Sequence, residues 1–206
     1  MNIIKRKHLL YSWECSPGIT IKEKLETINS NNKLQSLSFS GSKIQNIILD
    51  KLPTITTLKI LNLSGTKITD SGLKNLVKFP NLEQLFLNCT RITNKGFKFI
   101  FELKKLRILE ILGTGVSGDC FKLLNNKLEV LNADYNSFDD SSILFLEKFL
   151  NLKELSLCFM NISDCSLKSL LHLKKLDKLH VIGTKITRKS INLFKKQRPS
   201  CKVAFM

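Results

Sequence analysis

The sequence predicts an α/β solenoid, in which a curved parallel β-sheet forms the inner side and short helices cover the outer side. Three observations support this prediction. A unit of about 24 residues recurs seven times, each unit opens on a leucine, and the spacing of apolar residues within it changes from two to three. Because one unit of this size cannot bury its own apolar face, the units are expected to stack.

Leucine at the first position of every unit sets the frame. Successive leucines are separated by 24, 24, 24, 22, 24 and 24 residues, so the fourth unit is shorter than the others. These leucines are Leu34, Leu58, Leu82, Leu106, Leu128, Leu152 and Leu176. Apolar residues also recur at positions 4, 6, 11, 16 and 19. The two residues missing near Asn125 and Asn126 predict a tighter connection there, which is either a local kink or a tolerated deletion.

The spacing within each unit predicts a strand followed by a helix. Positions 4 and 6 flank a polar or variable position 5, which is the periodicity of a strand. Positions 16 and 19 are three residues apart, which is the periodicity of a helix. Residues that favour helix N-caps occupy position 12, namely Thr69, Thr93, Ser117, Asp139, Ser163 and Thr187. We therefore expect positions 3, 5 and 7 to face away from the core on the inner side.

The unit resembles a leucine-rich repeat. The pattern is clearest in Leu58–Leu76, which reads LKILNLSGTKITDSGLKNL, and it extends over residues 33–206. It is most similar to the cysteine-containing or F-box-associated subtype, although position 9 is mostly threonine here, where that subtype often has cysteine or asparagine. The resemblance implies a stacked solenoid that serves as a binding surface, and it does not identify the ligand.

The two ends of the chain depart from the repeat and are expected to act as caps. The sequence divides into an N-terminal capping segment at 1–33, leucine-rich repeats at 34–199 and a C-terminal capping strand at 200–206. Thr20 and Glu23 have the spacing of a capping box and predict a helix in the first segment. Val203 and Phe205 take positions 4 and 6 of a final truncated strand. Such caps cover the apolar ends of an array.

Composition predicts an intracellular protein. No apolar run approaches the length of a transmembrane helix, and the first residues lack the apolar segment and cleavage site of a secretory signal. Six scattered cysteines form no C-x-x-C pair, so neither a disulfide framework nor a metal site is expected. The cytoplasm or nucleus fits these features, with the mitochondrion as an alternative. No cofactor is expected.

The predicted inner face mixes apolar and acidic side chains. Exposed apolar patches of this kind typically contact proteins, whereas carboxylates repel a phosphate backbone. We therefore predict a protein partner on this concave face. The candidate contact residues are Ile60, Asn62, Phe86, Asn88, Ile108, Glu110, Leu112, Asn132, Asp134, Tyr135, Glu154, Ser156, Phe159 and His180.

Charge is concentrated at the C-terminal end. The net charge is +16, and residues 174–206 carry +9 of it. This basic patch is either a landing surface for RNA or another acidic surface, or a solvated surface without a ligand. Lysine outnumbers arginine 28 to 5, which disfavours bidentate phosphate recognition. Its candidate residues are Lys174, Lys175, Lys185, Arg188, Lys189, Lys195, Lys196 and Arg198.

No motif predicts catalysis. Cys158 and His180 fall on neighbouring units, but no third residue that would orient a nucleophile and a base is evident. The glycines of Gly113–Gly118 mimic a dinucleotide fingerprint, but they lie in a turn of the repeat and lack the βαβ context. A non-enzymatic protein is therefore predicted.

Three functional interpretations follow. The favoured one is a protein-interaction adaptor or scaffold that uses the concave face. The second is a structural subunit of a mitochondrial or ribonucleoprotein assembly, anchored by the basic end. The third is an effector or a ubiquitin-ligase substrate adaptor, although residues 1–33 do not resemble an F-box.

Overall fold

A single parallel sheet runs through the described part of the chain. The computed structural model describes residues 10–12, 26, 28, 33–124 and 126–206. Over these residues nine short strands follow one another in sequence order, each paired in parallel with the next. They are β1 (Leu10–Ser12), β2 (Ser36–Ser38), β3 (Ile60–Asn62), β4 (Gln84–Phe86), β5 (Ile108–Glu110), β6 (Val130–Asn132), β7 (Glu154–Ser156), β8 (Lys178–His180) and β9 (Lys202–Ala204). The register aligns equivalent positions of neighbouring units.

A short helical segment follows each of the strands β2 to β8 and covers the outer side of the sheet. The α-helices are α1 (Asn46–Lys51), α2 (Asp70–Leu73), α3 (Phe97–Phe101), α4 (Asp140–Ile143), α5 (Asp164–Leu170) and α6 (Arg188–Gln197). 3-10 helices extend or replace them at Lys74–Lys78, Asn94–Gly96, Gly118–Lys122 and Leu144–Leu146. The predicted fold class, an α/β solenoid with the sheet inside and helices outside, is confirmed.

The core lies between the sheet and the helices as one continuous apolar cluster. The leucines at positions 1 and 4 of all seven units are buried. Burying one such side chain contributes about 1.5–3 kcal/mol relative to leaving it in water, so the repeated leucines account for much of the driving force for stacking. Position 9 is satisfied locally: Thr66 and Thr90, for example, each donate to the carbonyl of position 6 in their own unit at 2.6 Å.

Hydrogen bonds link successive units along the helix N-termini. The Asp70 carboxylate accepts from the backbone N–H and hydroxyl of Thr93 in the next unit, at 2.7 and 2.6 Å. Asp140 does the same with Ser163, at 2.8 and 2.7 Å. Equivalent pairs are Asn46 with Thr69, Asn94 with Ser117, and Asp164 with Thr187. All these acceptors are the thirteenth residue of their unit, and we call the set of bonds the position 13 ladder. The ladder was not predicted from the sequence.

The ladder also changes the role of the predicted N-cap residues. The side chains of Thr93, Asp139, Ser163 and Thr187 accept from N–H groups of their own helices, as predicted. Those of Thr69 and Ser117 make no such bond. Their hydroxyls accept from the Asn side chain of the preceding unit instead, so these two residues occupy the predicted N-cap position without a side-chain bond to their own helix.

The fourth unit interrupts the ladder, because its position 13 is Gly118. A Cβ atom on Gly118 would collide with Ser142 of the following unit. Asp139 and Ser142 close a capping box within α4 instead. The strands nevertheless stay in register, with Leu109 opposite Leu131. The fourth unit is therefore two residues shorter than the others in the connection that precedes β6, and not in its strand.

The ends of the array differ in how much of them is described. Strand β1 pairs in parallel with β2, at a place where no strand was predicted. The predicted capping box at Thr20 and Glu23 lies outside the described residues, although Glu26 and Ile28 nearby are helical. At the other end β9 pairs with β8, where the sequence predicts a final strand. No helix in the described part of the chain is long and apolar enough to cross a membrane.

Candidate functional site

The aligned strands bring the candidate concave residues into two rows across the sheet. Position 3 forms a row that includes Ile60, Ile108 and Glu154, and position 5 forms a row that includes Asn62, Phe86, Glu110, Asn132, Ser156 and His180. These side chains are half-buried and flank the buried leucines of position 4. The rows form one surface because each residue lies beside its equivalent in the next strand, about 4.8 Å away.

Exposed apolar area on this surface is concentrated toward its C-terminal half. Four apolar residues are only partly exposed, namely Ile60, Phe86, Ile108 and Leu112. Tyr135 and Phe159 are 55% and 49% exposed, and their rings stack with centroids 4.3 Å apart and planes 15° from parallel. The stacked pair is therefore the most accessible apolar feature of the candidate residues.

The stack stands on an unusual backbone conformation. Position 8 of every unit is left-handed, with φ between 53° and 71°. Four units use glycine there, namely Gly41, Gly65, Gly113 and Gly183, and the other three use Cys89, Tyr135 and Phe159. Side chains with a Cβ, and bulky ones above all, rarely adopt this region. The recurrent glycines are the sequence signal that could have identified the position.

Three carboxylates lie among these apolar groups. Glu110 accepts a hydrogen bond from the Asn88 amide at 2.6 Å, and Asp134 accepts one from the backbone N–H of Cys158 at 2.7 Å. Glu154 pairs with the Lys178 ammonium at 2.9 Å and lies 3.9 Å from the His180 imidazole. Among the described residues, neither Glu110 nor Asp134 has a cation within ion-pair distance.

The basic end retains seven of its eight candidate residues on the surface. The exposed ones are Lys174, Lys175, Lys185, Arg188, Lys189, Lys195 and Lys196. The prediction that Arg198 belongs to the exposed basic patch is wrong, since this residue is only 6% exposed. Its guanidinium donates to the backbone carbonyls of Leu173, Lys174 and Leu176 at 2.6, 2.9 and 3.2 Å. Carbonyls that follow a helix need donors, and Arg198 supplies them.

The surroundings of Cys158 do not activate its thiol as a nucleophile. That residue is buried, and burial raises the pKa of its thiol. A catalytic cysteine needs the opposite, a lowered pKa beside a positive group. In the part of the chain that the structure describes, no group of three metal-ligating side chains lies together. The described cysteines are free: Cys89, Cys120, Cys158, Cys165 and Cys201.

A groove on the outer side lies between α5 and α6. Apolar side chains line it, including Leu167, Leu171, Leu193 and Phe194, with Lys168 at its edge. Leu193 is half exposed. Sequence analysis did not single out this groove, because Leu193 lies outside the repeating apolar positions.

Comparison with known proteins agrees with the architecture. A family model described as leucine-rich repeat matches residues 54–77. No curated protein matches the chain significantly. Neither the family model nor the similar structures indicate a catalytic family. The F-box-associated subtype is not distinguished by these matches.

Solved structures are similar over most of the chain. An internalin, inlF, from Listeria monocytogenes has 22% identity and a TM-score of 0.69, with 90% of this chain and 50% of that chain covered. Internalin C2 from the same organism has 24% identity and a TM-score of 0.59, covering 86% and 80%. The ectodomain of the Arabidopsis receptor kinase HAESA, solved with an IDA peptide hormone, has 19% identity and a TM-score of 0.59, covering 84% and 30%.

The chain spans half the length of the inlF structure, and at these identities the likeness concerns the fold. The repeated unit, the parallel sheet in sequence order and the match over residues 54–77 lead to one conclusion. The fold of this protein is an α/β leucine-rich-repeat solenoid.

Proposed function

We propose that this protein is a non-enzymatic adaptor or scaffold that binds a protein partner through the concave face of its solenoid. The observation that supports this most is the exposed Tyr135–Phe159 stack, on the same predicted face as the half-buried Phe86 and Leu112. Accessible aromatic side chains carry a large share of the energy in protein interfaces. Leucine-rich-repeat folds are typical of protein-interaction domains, and the HAESA structure holds a peptide ligand.

Two finer assignments accompany the proposal. We infer that the protein is intracellular, because the described cysteines are free thiols of the kind that reducing compartments maintain. Within the leucine-rich repeats we assign the cysteine-containing or F-box-associated subtype, because the units keep a period of about 24 residues and the segment Ile68–Leu73 reads ITDSGL.

Truncating two concave aromatics tests the proposal. Phe86→Ala combined with Tyr135→Ala is expected to weaken partner binding by about tenfold or more for each ring removed, because both rings lie on the proposed contact surface. Affinity capture with mass spectrometry identifies the partner, and titration of the purified partner gives the dissociation constants. Circular dichroism verifies that the fold is retained.

The matched control removes apolar area from the outer side. Val77→Ala combined with Leu144→Ala truncates two residues that are 75% and 54% exposed. This variant is expected to bind the partner like the wild type. If the concave variant binds normally and the outer variant does not, the contact surface lies on the helices and the proposal is wrong.

A second candidate function rests on the basic end. Helix α6 and the preceding turns present seven exposed cations, which favours a subunit anchored to RNA or to another acidic surface. Replacing Arg188, Lys189, Lys195 and Lys196 with Gln is expected to weaken binding to a single-stranded RNA probe. The slope of log Kobs against log salt would become shallower by about 0.7 for each phosphate that the variant no longer neutralises.

The control for this titration replaces four exposed lysines elsewhere, namely Lys51, Lys67, Lys95 and Lys105, with Gln. It removes the same charge but leaves the basic end intact. Equal slopes for wild type and both variants would mean that the C-terminal charge is a solvated surface, and this second function would lose its support.

A further inference from the structure

Tyr135 and Phe159 occupy positions at which the repeat otherwise favours glycine. Their φ angles of 56° and 58° lie in the left-handed region, where a large side chain is disfavoured. The rings are nevertheless half exposed, so burial in the core does not explain their presence. Disfavoured backbone conformations held by the surrounding structure concentrate at functional sites. The residues at position 8 of the fifth and sixth units are therefore candidates for binding a ligand.

The two faces of the Tyr135 ring have different surroundings. One face is covered by the Phe159 ring, which in turn occupies the space of a Cβ on Gly183, with a ring carbon 2.6 Å from that position. On the side of the preceding unit stands Gly113. Apart from Gly113 and its two chain neighbours, the one described atom within 4 Å of a Cβ placed on Gly113 is Cys89 Sγ, at 3.7 Å. A gap floored by the backbone of Gly113 therefore separates Tyr135 from Cys89.

Two carboxylates in the units that border this gap have no cation within ion-pair distance among the described residues. Glu110 ends β5, three residues before Gly113, and Asp134 precedes Tyr135. The backbone N–H of Gly113 donates to the carbonyl of Asp134 at 2.9 Å, which holds the two units together at this point. Each carboxylate uses part of its accepting capacity, with Asn88 and with the N–H of Cys158, and a carboxylate accepts more than one bond.

We propose that Tyr135, Glu110 and Asp134 form a receptor for an arginine side chain of the protein partner. This deepens, and rests on, the proposed concave-face function. The guanidinium stacks on the free face of Tyr135 above Gly113 and donates to the two carboxylates. Arginine fits better than lysine because its planar group stacks on aromatic rings, is weakly hydrated and presents five donors.

More than half of the chain's excess positive charge lies away from this occupant. The excess of +9 lies in residues 174–206, which begin at the last unit, whereas the receptor joins the fourth and fifth units. Strands are spaced about 4.8 Å apart, so the basic end lies roughly a Debye length, about 8 Å, or more away at physiological salt. At the receptor itself, Glu110 and Asp134 favour a cation. The same carboxylates disfavour a phosphate group.

The test is a nuclear magnetic resonance titration of isotope-labelled protein with the peptide acetyl-Ser-Gly-Arg-Gly-Ser-amide. Amide signals of Gly113, Asp134 and Tyr135 are expected to shift and to approach saturation only at roughly ten millimolar peptide or above, because a single stacked ion pair is weak. The same peptide with citrulline, which has the shape of arginine without its charge, is expected to bind at least about fivefold more weakly. A lysine peptide is expected to fall between them.

Variants connect these shifts to the receptor. Tyr135→Gly installs the residue that four other units carry at position 8, so it is expected to fold and to lose peptide binding. Tyr135→Phe keeps the ring and is expected to retain binding. Glu110→Gln with Asp134→Asn is expected to reduce both affinity and its dependence on salt. Equal binding of the arginine and citrulline peptides, or unchanged binding by Tyr135→Gly, would overturn the receptor.

The receptor and the concave-face function fail in different ways. A partner whose capture depends on Phe86 but is unaffected by Tyr135→Gly would overturn the receptor and leave the concave-face function standing. A partner that binds elsewhere, while the arginine peptide still shifts Gly113 and Tyr135, would overturn the concave-face function. In that case the receptor would remain as a measured site for arginine.

Discussion

Gly118 shows how one residue departs from a repeated pattern for a steric reason. Its unit lacks the Asn or Asp that links neighbouring units elsewhere, because Ser142 of the next unit occupies the space that a side chain would need. Glycine here serves close approach and not backbone freedom, since its φ is not left-handed. The contact is between the 3-10 helix Gly118–Lys122 and α4.

We expect Gly118→Ala to destabilise the protein by about 1–3 kcal/mol, because the added methyl group must displace α4 or its own helix. Urea denaturation gives the change in free energy of unfolding. Combining it with Ser142→Gly removes the two side-chain atoms that collide and leaves the Cα of residue 142 at 2.8 Å, so the double variant is expected to be more stable than the sum of the two single changes predicts. Simple additivity would show that the two residues do not collide.

At the scale of elements, side chains of one unit satisfy the helix ends of the unit before it. The Lys78 ammonium donates to the carbonyls of Leu49, Asp50 and Leu52 at 2.9, 2.8 and 2.8 Å, at the end of α1. Arg198 does the same for the carbonyls after α5. Such short helices leave most of their terminal carbonyls without partners of their own. Together with the position 13 ladder, these contacts tie successive units on the outer side.

The ladder makes Asp140 a demanding position. Its carboxylate accepts from the N–H and hydroxyl of Ser163 and from the hydroxyl of Ser166, at 2.8, 2.7 and 2.5 Å. Asp140→Ala is expected to cost about 1–3 kcal/mol in free energy of unfolding, because the buried Ser166 and the half-buried Ser163 lose their acceptor. Urea denaturation measures the loss.

The control for Asp140 is Asp119→Ala, which removes an acid whose side chain is 68% exposed and paired with Lys122 on the surface. Such pairs contribute little, so a change below about 1 kcal/mol is expected. Equal losses for the two variants would mean that the ladder adds nothing beyond ordinary surface charge.

Across the whole molecule, several acids titrate below their ordinary range. Hydrogen bonds from Arg107 and Lys153 lower the pKa of Glu129 to about 2, and bonds from Ser141 and Ser142 lower that of Asp139 to about 2. Contacts to the next unit also lower the pKa of Asp164. A depressed folded-state pKa means that the unfolded chain binds protons first as the pH falls.

We therefore expect the contribution of these acids to the free energy of unfolding to be constant above about pH 5 and to fall between about pH 5 and pH 2. Urea denaturation across this range measures it. Glu129→Gln removes one depressed group, so the difference between wild type and variant is expected to shrink as the pH falls through that window. The positive charge that both proteins gain at low pH destabilises them to a similar extent, so it cancels from this difference. A constant difference would contradict the prediction.

The solenoid could be predicted from the sequence because the same class of side chain returns at each buried position. Features that rest on single atoms could not. In the sequence, Arg198 is one more cation near Lys195 and Lys196. Its charge does not indicate whether the guanidinium contacts water or backbone carbonyls, and in the structure it contacts carbonyls. The position 13 ladder was hidden because Asn, Asp and Gly alternate there. Tyr135 was identified as a contact residue, but its left-handed backbone and its stack required the fold.

The boundary between the fourth and fifth units has a thermal consequence. Where other boundaries have the ladder, this one has the Phe121 and Phe138 rings stacked 4.7 Å apart and Phe149 set edge-on to Phe121 at 6.4 Å. Apolar contacts weaken on cooling. In an array whose stability is a sum of interactions between neighbours, cooling therefore weakens the aromatic contribution at this boundary, while the Arg107–Glu129 pair and the Thr114–Asn136 bond across it remain. The gap beside Tyr135 spans the same boundary, so a side chain bound there would add a further link between the fourth and fifth units.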